Sequence, residues 1–304
     1  MSESRSKQAP GRAVLLKPTL DQLYTSFNAP DSATDPIQIV RRYARPADQE
    51  IVGFCAAGLA FGRVASVMQS IERVATVLGP EPAAFVRGFD PARDAAPLQD
   101  FVHRWIRGVD IVGLLWVLRQ MLEQAGSIEG FFAAGDPGGD DVRDALDSFS
   151  ARAMALDLRT AYGTVAARPG VAYFFPKPSA GSACKRLNLF MRWMVRHDAL
   201  DLGAWSRVPA SRLIVPLDTH VIRVGRCLQL TRHTSPGWAM AQDITAALRT
   251  LDPADPVKYD FSVCHLGMMN ACGFGTPRGS TQCPLKAVCK PRQRPRVPRI
   301  KRQG

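Results

Sequence analysis

The sequence predicts an all-α fold on three observations. Apolar residues recur at helical spacing, no segment alternates as a strand would, and Gly/Pro turns separate the helical stretches. The spacing shows in Ile51, Phe54, Cys55, Gly58 and Leu59, then in Val64, Val67, Met68, Ile71 and Val74, and again in Val112, Leu115, Val117, Leu118 and Leu122. Turns are expected at Gly79-Pro80, at Asp136-Pro137-Gly138-Gly139 and at Pro176-Lys177-Pro178. With 304 residues, 46% of them hydrophobic, the chain can bury a substantial core as one large domain or two modest ones. No internal repeat is visible.

From the N-terminus, residues 1–13 read as a polar, disordered leader without the apolar stretch of a secretory signal. The longest apolar run, Ile51 to Gly62, is too short to cross a bilayer. The expectation is a soluble, cytoplasmic protein. A net charge of +12 favours a polyanion such as nucleic acid, although an anionic membrane surface also qualifies. Seven positive charges lie in the last fifteen residues, which carry no acid, and removing them leaves +5 on the body. From Pro291 onward, prolines among arginines predict a disordered basic tail. Together with Arg278, Lys286 and Lys290, that tail reads as a solvated charge run or as a set of phosphate contacts.

Two segments carry the chemistry. In Pro178 to Arg196 a helix is expected to begin near Ser182, whose hydroxyl can cap it, with Leu187, Phe190, Met191 and Met194 on one face. Lys185 falls in its first turns, where the positive end of the helix dipole disfavours an ammonium ion. In Leu213 to Leu228, Asp218 opens a helix with a stripe of Val221, Ile222 and Val224. A lysine amine can attack carbon and form an imine, while a carboxylate can stabilise an oxocarbenium-like centre. Taken alone, Lys185 also reads as a solvated lysine and Asp218 as an N-cap.

The seven cysteines are unevenly placed. Cys55, Cys184 and Cys227 lie in apolar helical patterns, whereas Cys264, Cys272, Cys283 and Cys289 crowd together. Without an export signal, that crowd suggests a metal rather than disulfides. His220 and His265, beside Asp218 and Cys264, read as structural histidines. Trp193 reads as core, and Trp205, between Gly203 and Ser206, as a candidate for lining a base pocket.

Pro216 to Val224 (Pro-Leu-Asp-Thr-His-Val-Ile-Arg-Val) resembles the aspartate segment of the helix-hairpin-helix, endonuclease III superfamily of DNA glycosylases. Gly181-Ser-Ala-Cys-Lys185 through Asn188 resembles its hairpin turn, Ala183 standing where a second glycine is usual. Lys185 and Asp218 are 33 residues apart, against roughly twenty in the family, so an insertion falls around His197 to Arg212. The closest resemblance is to an uncharacterised bacterial family, DUF2400-like, related to archaeal 8-oxoguanine glycosylases. It extends to Asp35-Pro-Ile-Gln-Ile-Val-Arg-Arg-Tyr43 and to Glu50 through Arg63, and covers nearly all of 18–290.

The resemblance implies a two-lobed fold. Residues 50–215 would form a central module ending in the hairpin, while 14–49 and 216–290 would form the other lobe, with a cysteine-rich loop and DNA in the cleft between. It implies Lys185 as nucleophile and Asp218 as assisting acid, with Gly181, Ser182 and Ala183 presenting amides to a phosphate. Phe61 and Arg63 fall where the family wedges a residue into the vacated base stack, Phe61 also reading as core. Cys283-x5-Cys289 matches the family's iron–sulfur spacing, with Cys272 and Cys264 completing the set. A [4Fe–4S] cluster, zinc and a metal-free relic all remain open.

The expected function is therefore that of a monomeric, nucleoid-associated DNA repair enzyme for base excision, a DNA-binding hydrolase. It would remove a damaged base and cleave the strand by AP lyase chemistry. The alternatives are a non-catalytic nucleic-acid-binding protein of the same fold, and a metal or redox regulator built on the C-terminal cysteines.

Overall fold

Proline fixes where several helices begin, because its ring presets a helical φ and its missing N–H is not needed in the first turn. In the computed structural model, which describes residues 10–30, 35–167, 169–268 and 283–286, the first helix, α1, spans Pro10–Phe27. A single turn, α2 (Ile37–Val40), leads to α3 (Pro46–Leu59), α4 (Val64–Leu78), α5 (Pro82–Gly88) and α6 (Pro91–Asp94), of which α3, α5 and α6 open on proline. A two-residue antiparallel hairpin follows, β1 (Val102–His103) with β2 (Ile106–Arg107), Val102 opposite Arg107 and His103 opposite Ile106. Then come α7 (Gly108–Ala125), α8 (Ile128–Ala133), α9 (Arg143–Ala153) and α10 (Arg159–Tyr162). The last four are α11 (Lys185–Val195), α12 (Thr219–Cys227), α13 (Trp238–Arg249) and α14 (Asp260–Met268).

The described residues are thus mostly helical, as expected. The hairpin escapes a periodicity search because two residues per strand cannot show an alternation. Helix α1 takes in the last residues of the expected leader, since a proline at position 10 is compatible with a first helical turn. The C-terminal tail lies outside the described residues. Among the described residues no helix is long and apolar enough to cross a membrane.

Helix α3 is apolar on nearly every face and accordingly runs through the interior, buried from Glu50 to Leu59. It packs chiefly on α11. Gly53 permits the approach, because a Cβ there would stand 2.9 Å from the Met194 methyl, and at Gly58 it would meet the Phe174 ring. The two buried acids of α3 serve as caps for its neighbours. Asp48 accepts from the Ala83 amide at 2.8 Å, in the first turn of α5. Glu50 accepts from the Ile128 and Glu129 amides at the start of α8, at 2.9 and 2.6 Å. Burial raises the Glu50 carboxyl above the usual range, and these amides with the Trp205 indole pull it partly back.

At the other end, α14 packs against both α12 and α1. Tyr259 donates to Asp21 at 2.5 Å across that junction.

Candidate nucleic-acid site

Lys185 is the first residue of α11, three residues later than the start expected from Ser182. The delay has a local cause: Ser182 Oγ accepts the Cys184 amide in a tight turn, and Cys184 takes a left-handed conformation with φ 47° that no helix residue adopts. Gly181 is the other left-handed residue of the turn, with φ 80°. Ala183 is not one of them, so the glycine missing from the hairpin pattern costs no strain at that position. Asn188 Nδ2 ties the turn to the helix by donating to the Ala183 carbonyl at 3.1 Å.

Two amides of the turn are engaged, Gly181 N with the Pro178 carbonyl and Cys184 N with Ser182. Those of Ser182 and Ala183 meet no acceptor among the described residues. Buried Cys184, its thiol pushed up to about 12 by desolvation, is a packing residue.

The Lys185 ammonium reaches back to the end of α3 and donates to the Ala60 carbonyl at 3.1 Å. The next residue is Phe61, which is covered rather than projecting. It stacks on Trp105 at 4.9 Å and 28° and meets Tyr173 at 5.1 Å and His103 at 4.6 Å edge to face. The outermost ring is Trp105, at the tip of the β1–β2 hairpin and 54% exposed. Phe61, expected as a wedge or as core, thus lies under the larger ring that the hairpin places over it.

Tyr173 is fixed through its turn, Gly170–Phe174: the Tyr162 hydroxyl accepts the Val171 amide and donates to Asp110, each at 3.0 Å. His103 bridges Ser70 Oγ and the Phe61 carbonyl at 2.8 and 3.0 Å, and burial lowers its pKa, keeping the ring neutral.

Arginines surround these rings. Arg186 lies 3.2 Å from the Tyr173 ring centroid and donates to the Tyr173 carbonyl at 2.6 Å. Desolvation brings it down to about 10, which still leaves it charged at neutral pH. Arg63, Arg104 and Arg107 are exposed, the Arg104 guanidinium lying against Gly62. Trp105, Tyr173, Arg104 and Arg186 went unread in the sequence. The basic and aromatic alternation His103-Arg-Trp-Ile-Arg107 was the available signal.

Asp218 stands as predicted at the N-cap of α12, Oδ1 accepting the Val221 amide at 2.7 Å. Its Oδ2 accepts from the Cys264 thiol at 3.0 Å. No hydrogen bond joins Asp218 to Lys185. They are linked instead through α14, where Asp260 holds Arg192 of α11 at 2.6 Å while Cys264, one turn on, holds Asp218.

The insertion between them folds onto the body. The Trp205 amide donates to the Met194 carbonyl at 2.7 Å, the Ser206 and Arg207 amides to Glu129, and Arg212 forms a two-pronged pair with Asp136. Trp205 is consequently a core residue and not the lining of an open pocket. It is buried against Phe132 and Phe190, its indole N–H donating to Glu50 at 2.8 Å. Trp193 is core, as expected.

Of the four cysteines expected to hold a metal, Cys264 and Cys283 fall among the described residues. Cys264 spends its thiol proton on Asp218, and no group of three or more His, Cys, Asp or Glu suited to a metal occurs among those residues. Cys283 lines a small cavity with Cys227, Val224, Leu228, Leu266 and Leu285. Cys227 takes part in a disulfide. Cys272 and Cys289 lie outside the described residues.

The fold and site thus define a mostly helical protein in which a tight turn launches a lysine-headed helix near a basic aromatic face. A family model described as a protein of unknown function, DUF2400, matches residues 35–269. That is more than half of the chain, which belongs to this family. No curated protein and no solved structure matches it.

Proposed function

We propose that this protein is a DNA glycosylase of the helix-hairpin-helix type with associated lyase activity, acting as a monomer on cytoplasmic, nucleoid DNA. One observation carries the reading: Lys185 heads a helix directly after a turn whose Ser182 and Ala183 amides meet no acceptor among the described residues, and it reaches the Ala60 carbonyl next to Phe61, on which the exposed Trp105 stacks and over which Arg186 lies. The amides of Ser182 and Ala183, at the positive end of α11, suit a backbone phosphate. Arg63, Arg104, Arg107 and Arg186 suit neighbouring phosphates, and Trp105 stacked on Phe61 suits a base deprived of its partner.

In its neutral form the Lys185 amine would attack C1′ of a nucleotide turned out of the duplex. The C–N bond to the base breaks, its electron pair leaving with the base, and Asp218 offsets positive charge developing on the sugar. Loss of the amine proton and opening of the sugar give an imine. Removal of a C2′ proton then expels the 3′ phosphate, and water releases the lysine.

The test is borohydride trapping on abasic-site duplex, which reduces the imine to a permanent bond. Wild type should give an adduct that is lost in Lys185→Ala. An undiminished adduct in that variant would sink the assignment.

A second reading has its own observation. Both carboxylate oxygens of Asp218 are engaged and none of its hydrogen bonds reaches Lys185, as suits a binding protein of the same fold without chemistry. That reading predicts salt-dependent DNA binding with no base release and no adduct. The cysteine-centred regulator is supported only by Cys283 and Cys227 lining one cavity. Iron and zinc analysis of anaerobically purified protein decides it, absence of stoichiometric metal removing it.

A further inference from the structure

We propose that Cys264 is a positioning residue for Asp218, its thiol fixing the carboxylate so that the charge stays in one place without being neutralised. The inference rests on the role given to Asp218 above.

A helix-capping aspartate is ordinarily held from one side. Here Oδ1 takes the Val221 amide and Oδ2 the Cys264 thiol, at 2.7 and 3.0 Å, and two donors on different oxygens define the carboxylate plane. The second donor comes from another helix, whose own position is anchored. Asp260 and Cys264 are four residues apart on one face of α14, and Asp260 holds the buried Arg192 guanidinium, which also pairs with Asp201. Helix α14 is thus clamped to α11, the helix that Lys185 heads, and presents its thiol to the cap of α12. The geometry ties the frame of the amine to the frame of the carboxylate.

The choice of a thiol has a physical reason. A lysine or arginine there would form an ion pair and cancel the negative charge that a cationic sugar needs. A neutral donor orients the carboxylate and leaves its charge intact. Burial and the nearby Asp218 and Asp260 charges all push the thiol well above its ordinary range, so it keeps its proton and remains a donor. As a small soft group it also packs against the hydrophobic core.

The test compares Cys264→Ala with Cys264→Ser in single-turnover imine formation on abasic duplex, alongside DNA affinity and melting temperature. Cys264→Ala should slow the step about tenfold, which is roughly 1.4 kcal/mol of barrier, with the Kd for DNA unchanged within about twofold. Cys264→Ser, which restores a donor, should recover most of the rate. An alanine variant as fast as wild type, or a folded serine variant as slow as alanine, overturns the proposal.

The contact itself is read without turnover from the Raman S–H stretch, assigned by its loss in Cys264→Ser. It should move toward the frequency of an unbonded thiol in Asp218→Asn, where the acceptor is uncharged, and a band that stays put overturns the proposal too. Wild type that forms no imine while that band does move would instead overturn the role of Asp218 in catalysis, and the positioning role with it.

Discussion

Lys185 and Asp218 head neighbouring helices yet live in opposite surroundings. Lys185 donates to the Ala60 carbonyl, next to Phe61 in a cluster of three aromatic rings with exposed arginines whose charges face solvent. Around Asp218 the partners are a neutral thiol and, one layer in, a buried ionic network in which Arg192 and Arg196 hold Asp201, Asp260, Asp255 and Asp198. Unpaired arginine on a surface can take up phosphate at little desolvation cost. Buried pairs cannot be spared for a ligand, because separating them leaves a charge uncompensated. The first region is therefore suited to binding and the second to rigidity.

The sharpest way to break the comparison is Lys185→Ala, which should abolish imine trapping while leaving the melting temperature within a few degrees, because the ammonium makes one hydrogen bond to Ala60. On the rigid side, Arg192→Ala should cost about 3–5 kcal/mol in urea unfolding by stranding Asp201 and Asp260. A loss under ~1 kcal/mol would show that the network is dispensable.

Trp105→Ala should weaken binding to DNA with an unpaired base by about tenfold, the scale of one lost base–aromatic stack, with little change on intact duplex. Equal loss on both would mean that the ring contacts backbone instead. Arg104→Gln should weaken binding to all sequences alike and flatten the slope of log K against log salt by about one. An unchanged slope would remove Arg104 from the phosphate face.

The smallest effect concerns pH. Burial raises the Asp260 carboxyl from 3.8 to about 6, Arg192 opposing and Asp218 and Asp201 reinforcing the rise. Between those values the folded chain holds a proton that the unfolded chain has released. Stability from this group is therefore greatest at low pH and falls as pH rises through about 6. Relative to Asp260→Asn, wild type should lose stability between pH 4.5 and 7, and parallel curves would refute the shift.

Much of this was legible along the chain. The helical class follows from apolar spacing, and the apolar character of α3 on all faces foretells its burial. Asp218 as an N-cap follows from residue type and position alone. Lys185 at a helix start follows from the hairpin pattern, although the sequence placed that start at Ser182. The left-handed Cys184 had no signal, since cysteine carries no preference for that conformation. Trp205 was misplaced because its flanking Gly203 and Ser206 suggest a loose loop, whereas Glu50, 155 positions earlier, draws its indole into the core.

What the sequence determined by itself, then, is local: which stretches become helices, where Asp218 caps one, and that the chain carries an excess of positive charge. These depend on residues within a turn or two of one another. Tertiary structure decided that Trp105 covers Phe61, that Cys264 faces Asp218, and that Glu50 and Asp48 cap helices far along the chain. Such pairings join residues tens to hundreds of positions apart, and they are selected by packing and by the need to satisfy each buried polar group, which local periodicity cannot report.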